Sequence, residues 1–229
     1  MPAGSIRARV RAEMIDEIKS TARRHLSTDG ANLSLRAVAR DMGMVSSAIY
    51  RYFASRDELL TALIVDAYNE VGAAAEAGDA AIADREDLRG RWLGICTGVR
   101  RWALSAPAEY ALLYGSPVPG YVAPPETVLA ATRTATVMGQ IIVDGVSSGV
   151  LADAGAEDLP QELRSDFSRL RVTLAPGIPE SRLALGMIGW IHLFGAISFE
   201  LFGQFNNAIE ARDEYFEYQM RHLAEMIGV

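Results

Sequence analysis

The sequence predicts an all-α protein, on three observations. Apolar residues recur at helical spacing almost throughout, no segment sustains the period-2 alternation of β-branched residues that marks a strand, and glycine- and proline-containing breaks separate the helical runs. With 229 residues, half of them apolar and 22% charged, the chain is long enough to bury a real core and falls in the ordinary globular range.

The first helix is expected over residues 7–26, where Val10, Met14, Ile18 and Ala22 fall at i, i+4 steps and Arg9, Arg11, Glu17 and Arg24 lie between them. Asp29 and Gly30 end it. Ser34 then stands ahead of Leu35, Val38, Ala39 and Met42, a short helix with an oxygen placed to cap it, and Gly43 supplies the left-handed residue of a tight turn. After that turn, residues 45–53 are short and helix-compatible. Ser55 with Glu58 three positions on forms a capping box that opens a long helix to about residue 77, with Gly78 and Asp79 as its break. Further helices are expected near 85–105, 107–114, 126–149, 159–174, 180–204 and 208–227. The stretch 115–120 with Pro124 and Pro125 cannot be helical and must be an ordered loop or a lid.

Charge is divided along the chain. Residues 1–56 carry ten Lys or Arg against five Asp or Glu, whereas the remainder carries twelve against twenty-four, so a basic module precedes an acidic body. That asymmetry suits one end meeting phosphate while the other stays soluble. Cys96 is the single cysteine, which excludes an internal disulfide and a thiolate zinc cluster, and His25, His192 and His222 have no metal-ligand spacing. No metal or cofactor is expected. The basic N-terminus lacks a following apolar stretch, so it does not read as a secretory signal. The most apolar window, 183–205, is interrupted by His192, Glu200 and glycines, and reads as a buried helix rather than a membrane span. A cytoplasmic protein without a membrane partner is the expectation.

Two short helices joined by a glycine turn suit the major groove, which is about 12 Å wide and admits one helix bearing short side chains near its start. Ser46, Ser47 and Ala48 supply such a surface. Tyr50, Arg51 and Tyr52 follow with groups able to reach phosphates, and Ile49 and Phe53, four apart, face inward.

These residues carry a resemblance to the tetracycline-repressor (TetR) family: Ser34-Leu35-Arg36-Ala37-Val38-Ala39, then Gly43, then Ile49-Tyr50-Arg51-Tyr52-Phe53, then Arg56. The likeness covers about residues 7–77. One position departs from it: the family commonly has Ser or Thr where Val45 stands, and valine cannot cap the recognition helix. The remainder resembles the family's C-terminal domain, in particular a Trp-x-His…Gly subgroup, through Gly189-Trp190-Ile191-His192-Leu193-Phe194-Gly195 and through residues 110–121.

The resemblance implies a three-helix helix-turn-helix DNA-binding domain at 1–56 and a helical ligand-binding and dimerisation domain at 57–229, connected by the long helix 56–77. It implies a homodimeric transcriptional regulator, a repressor released from a near-palindromic double-stranded operator by a largely apolar small-molecule effector, and not an enzyme. The DNA-contacting candidates are Ser34, Arg36, Val45, Ser46, Ser47, Tyr50, Arg51, Tyr52 and Arg56. Trp102, Tyr110, Tyr114, Tyr121, Met187, Trp190, His192 and Phe194 are candidates to line an effector pocket, although each also has a plain core reading. Dimer contacts are expected from the last two long helices through Gly189, Leu193, Ala196, Phe199, Tyr215, Tyr218 and Leu223. The rival reading is an all-α small-molecule-binding or catalytic protein without specific DNA binding, for which no catalytic motif speaks.

Overall fold

The computed structural model describes residues 3–29, 33–151, 159–174 and 178–229, and among these every regular element is helical and no strand occurs. In chain order the α-helices are α1 (Ala3–Asp29), α2 (Leu35–Asp41), α3 (Arg56–Ala80), α4 (Leu88–Ser105), α5 (Pro107–Tyr114), α6 (Val128–Ser147), α7 (Gln161–Leu174), α8 (Glu180–Leu201) and α9 (Arg212–Ile227). Short 3₁₀ helices occupy Ile49–Arg51 and Pro125–Thr127. The proline-rich stretch at 115–124 is non-helical, as its composition requires.

The chain forms two compact units. One comprises Met1–Ala67 with Ala106–Val128, the other Tyr68–Ser105 with Leu129–Val229, and α3 runs from the first into the second. By packing, the N-terminal unit therefore extends past the segment 1–56 that the sequence assigns to DNA, and takes in α5 and the loop after it.

The core of the N-terminal unit joins Ile18, Ala22 and Leu26 of α1 to Leu35, Val38 and Ala39 of α2, to Ile49 and Phe53, and to Leu59, Leu60 and Leu63 of α3. Ala108, Leu112, Val118 and Tyr121 pack against it, and the Tyr121 and Thr61 hydroxyls share a hydrogen bond of 2.9 Å. Charge adds to the packing of α1 on α3 and α5: Asp66 pairs with Lys19 at 2.9 Å and Arg23 at 3.2 Å, and Arg23 also faces Glu109 at 3.9 Å. Burial pulls the Lys19 pKa down, but Asp66 and Asp16 outweigh it and leave the ammonium harder to deprotonate than usual. The apolar stripe of α1 does not stay covered along its length, since Ile6 and Val10 are half exposed where the helix runs beyond the core.

In the C-terminal unit the turn expected at Gly78 is not a break. The helix continues to Ala80 because Gly78 lets α3 approach α4 closely: a Cβ there would lie 2.2 Å from the Gly94 carbonyl oxygen. Arg91, 1% exposed, is neutralised by Asp79 and Asp144, each at 2.8 Å. Arg100 of α4 grips Glu200 of α8 with two bonds of 2.8 and 2.7 Å, and reaches Asp213 of α9 at 2.6 Å. By length and composition α8 could cross a membrane, with a mean hydropathy of 1.5. It nevertheless carries two buried charged residues with partners on its neighbours, Arg182 to the Ile227 carbonyl and Glu200 to Arg100. Burial pushes the Cys96 thiol well up, which suits packing rather than thiolate chemistry.

Candidate nucleic-acid interface

The turn between the two short helices has the hydrogen bonding of a Schellman motif. Gly43 takes φ +67°, its N–H donates to the Arg40 carbonyl at 3.0 Å, and the Met44 N–H donates to the Ala39 carbonyl at 2.8 Å. This closes α2 and redirects the chain by one tight step. Residues 46–48 then form a turn that winds into the 3₁₀ helix Ile49–Arg51, through N–H bonds from Ala48 to Val45, Arg51 to Ala48 and Tyr52 to Ile49. The segment is thus wound more tightly than the α-helix that a recognition helix implies. The 3₁₀ helix has no side-chain cap: Ala48 stands at its N-cap, and Val45, at the start of the turn before it, offers no side-chain oxygen either.

Ile49 and Phe53 are buried in the unit's core, and that fixes which way the rest of the segment points. Val45 (72% exposed), Ser46, Ser47, Tyr50 (45% exposed) and Arg51 face solvent together. Beside them lies an open concavity of about 640 Å³ lined by Ser34, Arg36, Ala37, Arg40, Gly43, Met44, Val45 and Ser46, so two exposed guanidinium groups of α2 border the displayed serines. Ser34 has the extended backbone of an N-cap, but its hydroxyl makes no cap bond.

Two of the expected contacts have other duties. The Arg56 Nε donates to the Leu33 carbonyl at 3.1 Å and ties the start of α3 to the chain ahead of α2. Tyr52 is half buried against the core, and its ring lies under the Arg11 guanidinium at 5.2 Å. The capping box does form: the Glu58 N–H donates to Ser55 Oγ at 3.1 Å, while the Glu58 carboxylate reaches the Ala54 N–H at 2.5 Å, one residue earlier than the usual reciprocal bond. Arg11 went unnoticed in the sequence, where it reads as one of several polar residues on the outer face of α1. Its Nη1 donates to the Arg51 carbonyl at 2.9 Å, and only the fold brings the two together.

The eight effector-pocket candidates are divided between the two units. Tyr110, Tyr114 and Tyr121 belong to the N-terminal unit, where Tyr110 is fully buried and packs against Tyr114 with tilted rings 5.0 Å apart. Trp102, Met187, Trp190, His192 and Phe194 belong to the other. There Trp102 is buried with its Nε1 3.4 Å from Glu70, Trp190 packs on Phe194 at 5.2 Å, and His192 is exposed and bonded to Gln219 at 3.0 Å.

The dimer candidates divide by face. Gly189, Leu193, Ala196 and Leu223 are buried within their own unit, and a Cβ on Gly189 would meet Ile227 and Trp92, so the close approach that glycine permits is made inside this chain. Phe199, Tyr215 and Tyr218 do face outward, joined by Ile188, Ile191 and Phe202, which the sequence reading did not single out.

Known proteins are similar to this chain in sequence and in architecture. Residues 18–63 match the family model described as bacterial regulatory proteins, tetR family, and residues 92–223 match the tetracyclin repressor-like C-terminal domain. The HTH-type transcriptional regulators Rv1816 of Mycobacterium tuberculosis and Mb1846 of Mycobacterium bovis are each 43% identical over 202 residues, covering 85% of this chain and 83% of each relative. Among solved structures, the regulatory protein SCO4313 superposes with a TM-score of 0.77 at 33% identity over 98% of this chain and 100% of its own. PfmR of Thermus thermophilus, a TetR family transcriptional regulator, shares the fold with a TM-score of 0.58 at 17% identity over 92% of this chain and 96% of its own.

Proposed function

This chain belongs to the tetR family of bacterial regulatory proteins and is a DNA-binding transcriptional regulator, and on that premise we propose that its homodimer reads a near-palindromic operator with residues 45–51 of each copy. The two readers enter successive major grooves, roughly 34–36 Å apart for adjacent helical turns. One observation carries this reading: Ile49 and Phe53 anchor the segment in the core while Val45, Ser46, Ser47, Tyr50 and Arg51 stand outward on it. The short side chains let the backbone approach base edges. Tyr50 and Arg51, and Arg36 on the concavity that Val45 and Ser46 also line, take phosphates and set the register.

Regulators of this family bind DNA operators and small molecules and act as dimers. The outward apolar side chains of α8 and α9, with Phe199 53% and Tyr218 58% exposed, support a second copy docking on these helices. The protein acts as a repressor, and a largely apolar effector held by the C-terminal unit releases it. The segment 106–128 supports such coupling, because the chain enters and leaves the N-terminal unit there from helices of the other unit. An effector moves the operator equilibrium only by its preference for the arrangement that cannot span both grooves. The protein works in the cytoplasm and performs no catalysis of its own.

The test is the Tyr50→Ala/Arg51→Ala double variant, assayed by gel shift on a duplex that the wild-type protein selects from genomic fragments. A folded dimer with affinity reduced at least tenfold is expected, since a hydrogen bond to a charged group such as a phosphate is worth about 1.5–3 kcal/mol. Unchanged affinity would show that DNA is read elsewhere.

A further inference from the structure

We propose that Arg11, on the part of α1 that runs beyond the core, is a positioning residue for the reader: it holds the end of the 3₁₀ turn from behind, in place of the cap that Val45 cannot supply at its start. The inference rests on the reader assigned above and adds to it a residue that does not itself touch DNA.

Three features converge on it. The reader is short, lacks a side-chain cap and is fastened to the core through Ile49 and Phe53, with Tyr52 packed beside them. Its last carbonyl, that of Arg51, accepts the Arg11 Nη1–H at 2.9 Å, which places a cation at the negative end of the turn. The same guanidinium lies 5.2 Å from the centre of the Tyr52 ring, so one side chain grips both a main-chain oxygen and the next residue's π face. Arg11 shares with Ile6, Arg7, Val10, Arg51 and Tyr52 the lining of a concavity of about 300 Å³. Ile6 and Val10 are half exposed, so this end of α1 adds little to the hydrophobic core. Buttressing the reader is what the helix does there. Arg11 meets Arg51 at its main-chain oxygen, and the Arg51 side chain is itself exposed.

A cap-sized contribution to an otherwise loose turn changes its ordered population about tenfold, and apparent affinity follows that population. Arg11→Ala should therefore weaken binding to the selected duplex about tenfold while leaving the salt dependence of binding unchanged, because no phosphate contact is lost. In the DNA-free protein, the Tyr52 and Phe53 amides, both bonded to the Ile49 carbonyl, should exchange hydrogen faster. Arg11→Lys keeps a donor and a positive charge, and should recover much of the affinity and of the protection. Unchanged affinity in Arg11→Ala, exchange at the wild-type rate, or a salt slope reduced by about 0.9 as for a lost phosphate contact would each overturn the positioning role. Failure of the reader itself shows separately, as unchanged binding in the Tyr50→Ala/Arg51→Ala variant. The exchange measurement needs no DNA, and judges the grip of Arg11 in either case.

Discussion

Replacing Val45 with Ser should convert the tight, uncapped start of the reader into a capped one. Val45 opens the turn, since its carbonyl accepts the Ala48 N–H at 2.8 Å, and valine has no side-chain oxygen to offer the N–H of Ser47. The valine is 72% exposed, so losing its methyl groups sacrifices little burial, roughly half a kcal/mol of the about 1.5–3 kcal/mol for a fully buried side chain. An added cap contributes about 0.5–2 kcal/mol. The balance ranges from nearly neutral to about 1.5 kcal/mol in favour of the helical start, which at its upper end is roughly tenfold in population. Hydrogen exchange of the DNA-free protein reads this directly: the amides of Ser47 and Ala48 should slow in Val45→Ser relative to Val45→Ala, which loses the same methyl groups without gaining the oxygen. Equal exchange in the two variants would show that the missing cap is not why the segment winds as a 3₁₀ turn.

Stability offers two further tests. Glu200 is 8% exposed and bonded twice by Arg100, so Glu200→Ala leaves the partly buried Arg100 with the solvent-facing Asp213 and the Phe216 ring, and should cost about 3 kcal/mol. Removing Glu225 from its exposed pair with Arg89 should cost at most about 1 kcal/mol. Thermal melts at one protein concentration compare the two, and equal losses would contradict the burial argument. Acid should also destabilise the fold. Burial raises the Asp79 pKa but Arg91 and Arg85 more than reverse it, and the Arg133 hydrogen bonds lower that of Glu76. Both carboxylates therefore stabilise the folded state fully above their ordinary values of 3.8 and 4.5, and that contribution is lost as pH falls through the depressed folded values. The melting temperature should drop below pH 4.5 with a shallower fall in Asp79→Asn, and identical profiles would remove Asp79 from the account.

Helical periodicity tells which face of a helix is covered, and it said so correctly for Ile18, Ala22, Ile49 and Phe53, because apolar residues at helical spacing share one face whatever packs against it. It does not tell what covers the face. Ala108, Leu112, Val118 and Tyr121 join the N-terminal core across some forty or more residues of chain, and no local pattern in α5 announces that partner. For the same reason the stripe on α8 was legible as apolar while its division was not: Leu193 and Gly189 turn inward to Trp92 and α9, and Ile188, Ile191 and Phe199 turn out. Gly78 read as a break because glycine is a poor helix former in isolation, and the contact with Gly94 overrides that preference.

The amino-acid order alone determined the all-α class, the basic helix-turn-helix, its Gly43 turn and its Ser55–Glu58 start to α3, since each depends on interactions within a few residues of one another. Tertiary structure decided which side chains of residues 45–53 face outward, the reach of Arg11 to Arg51, the enclosure of Arg91 and Glu200, and which apolar side chains of α8 and α9 stay exposed. Those features depend on side chains brought together from distant points of the chain, and such meetings leave no local trace in a sequence.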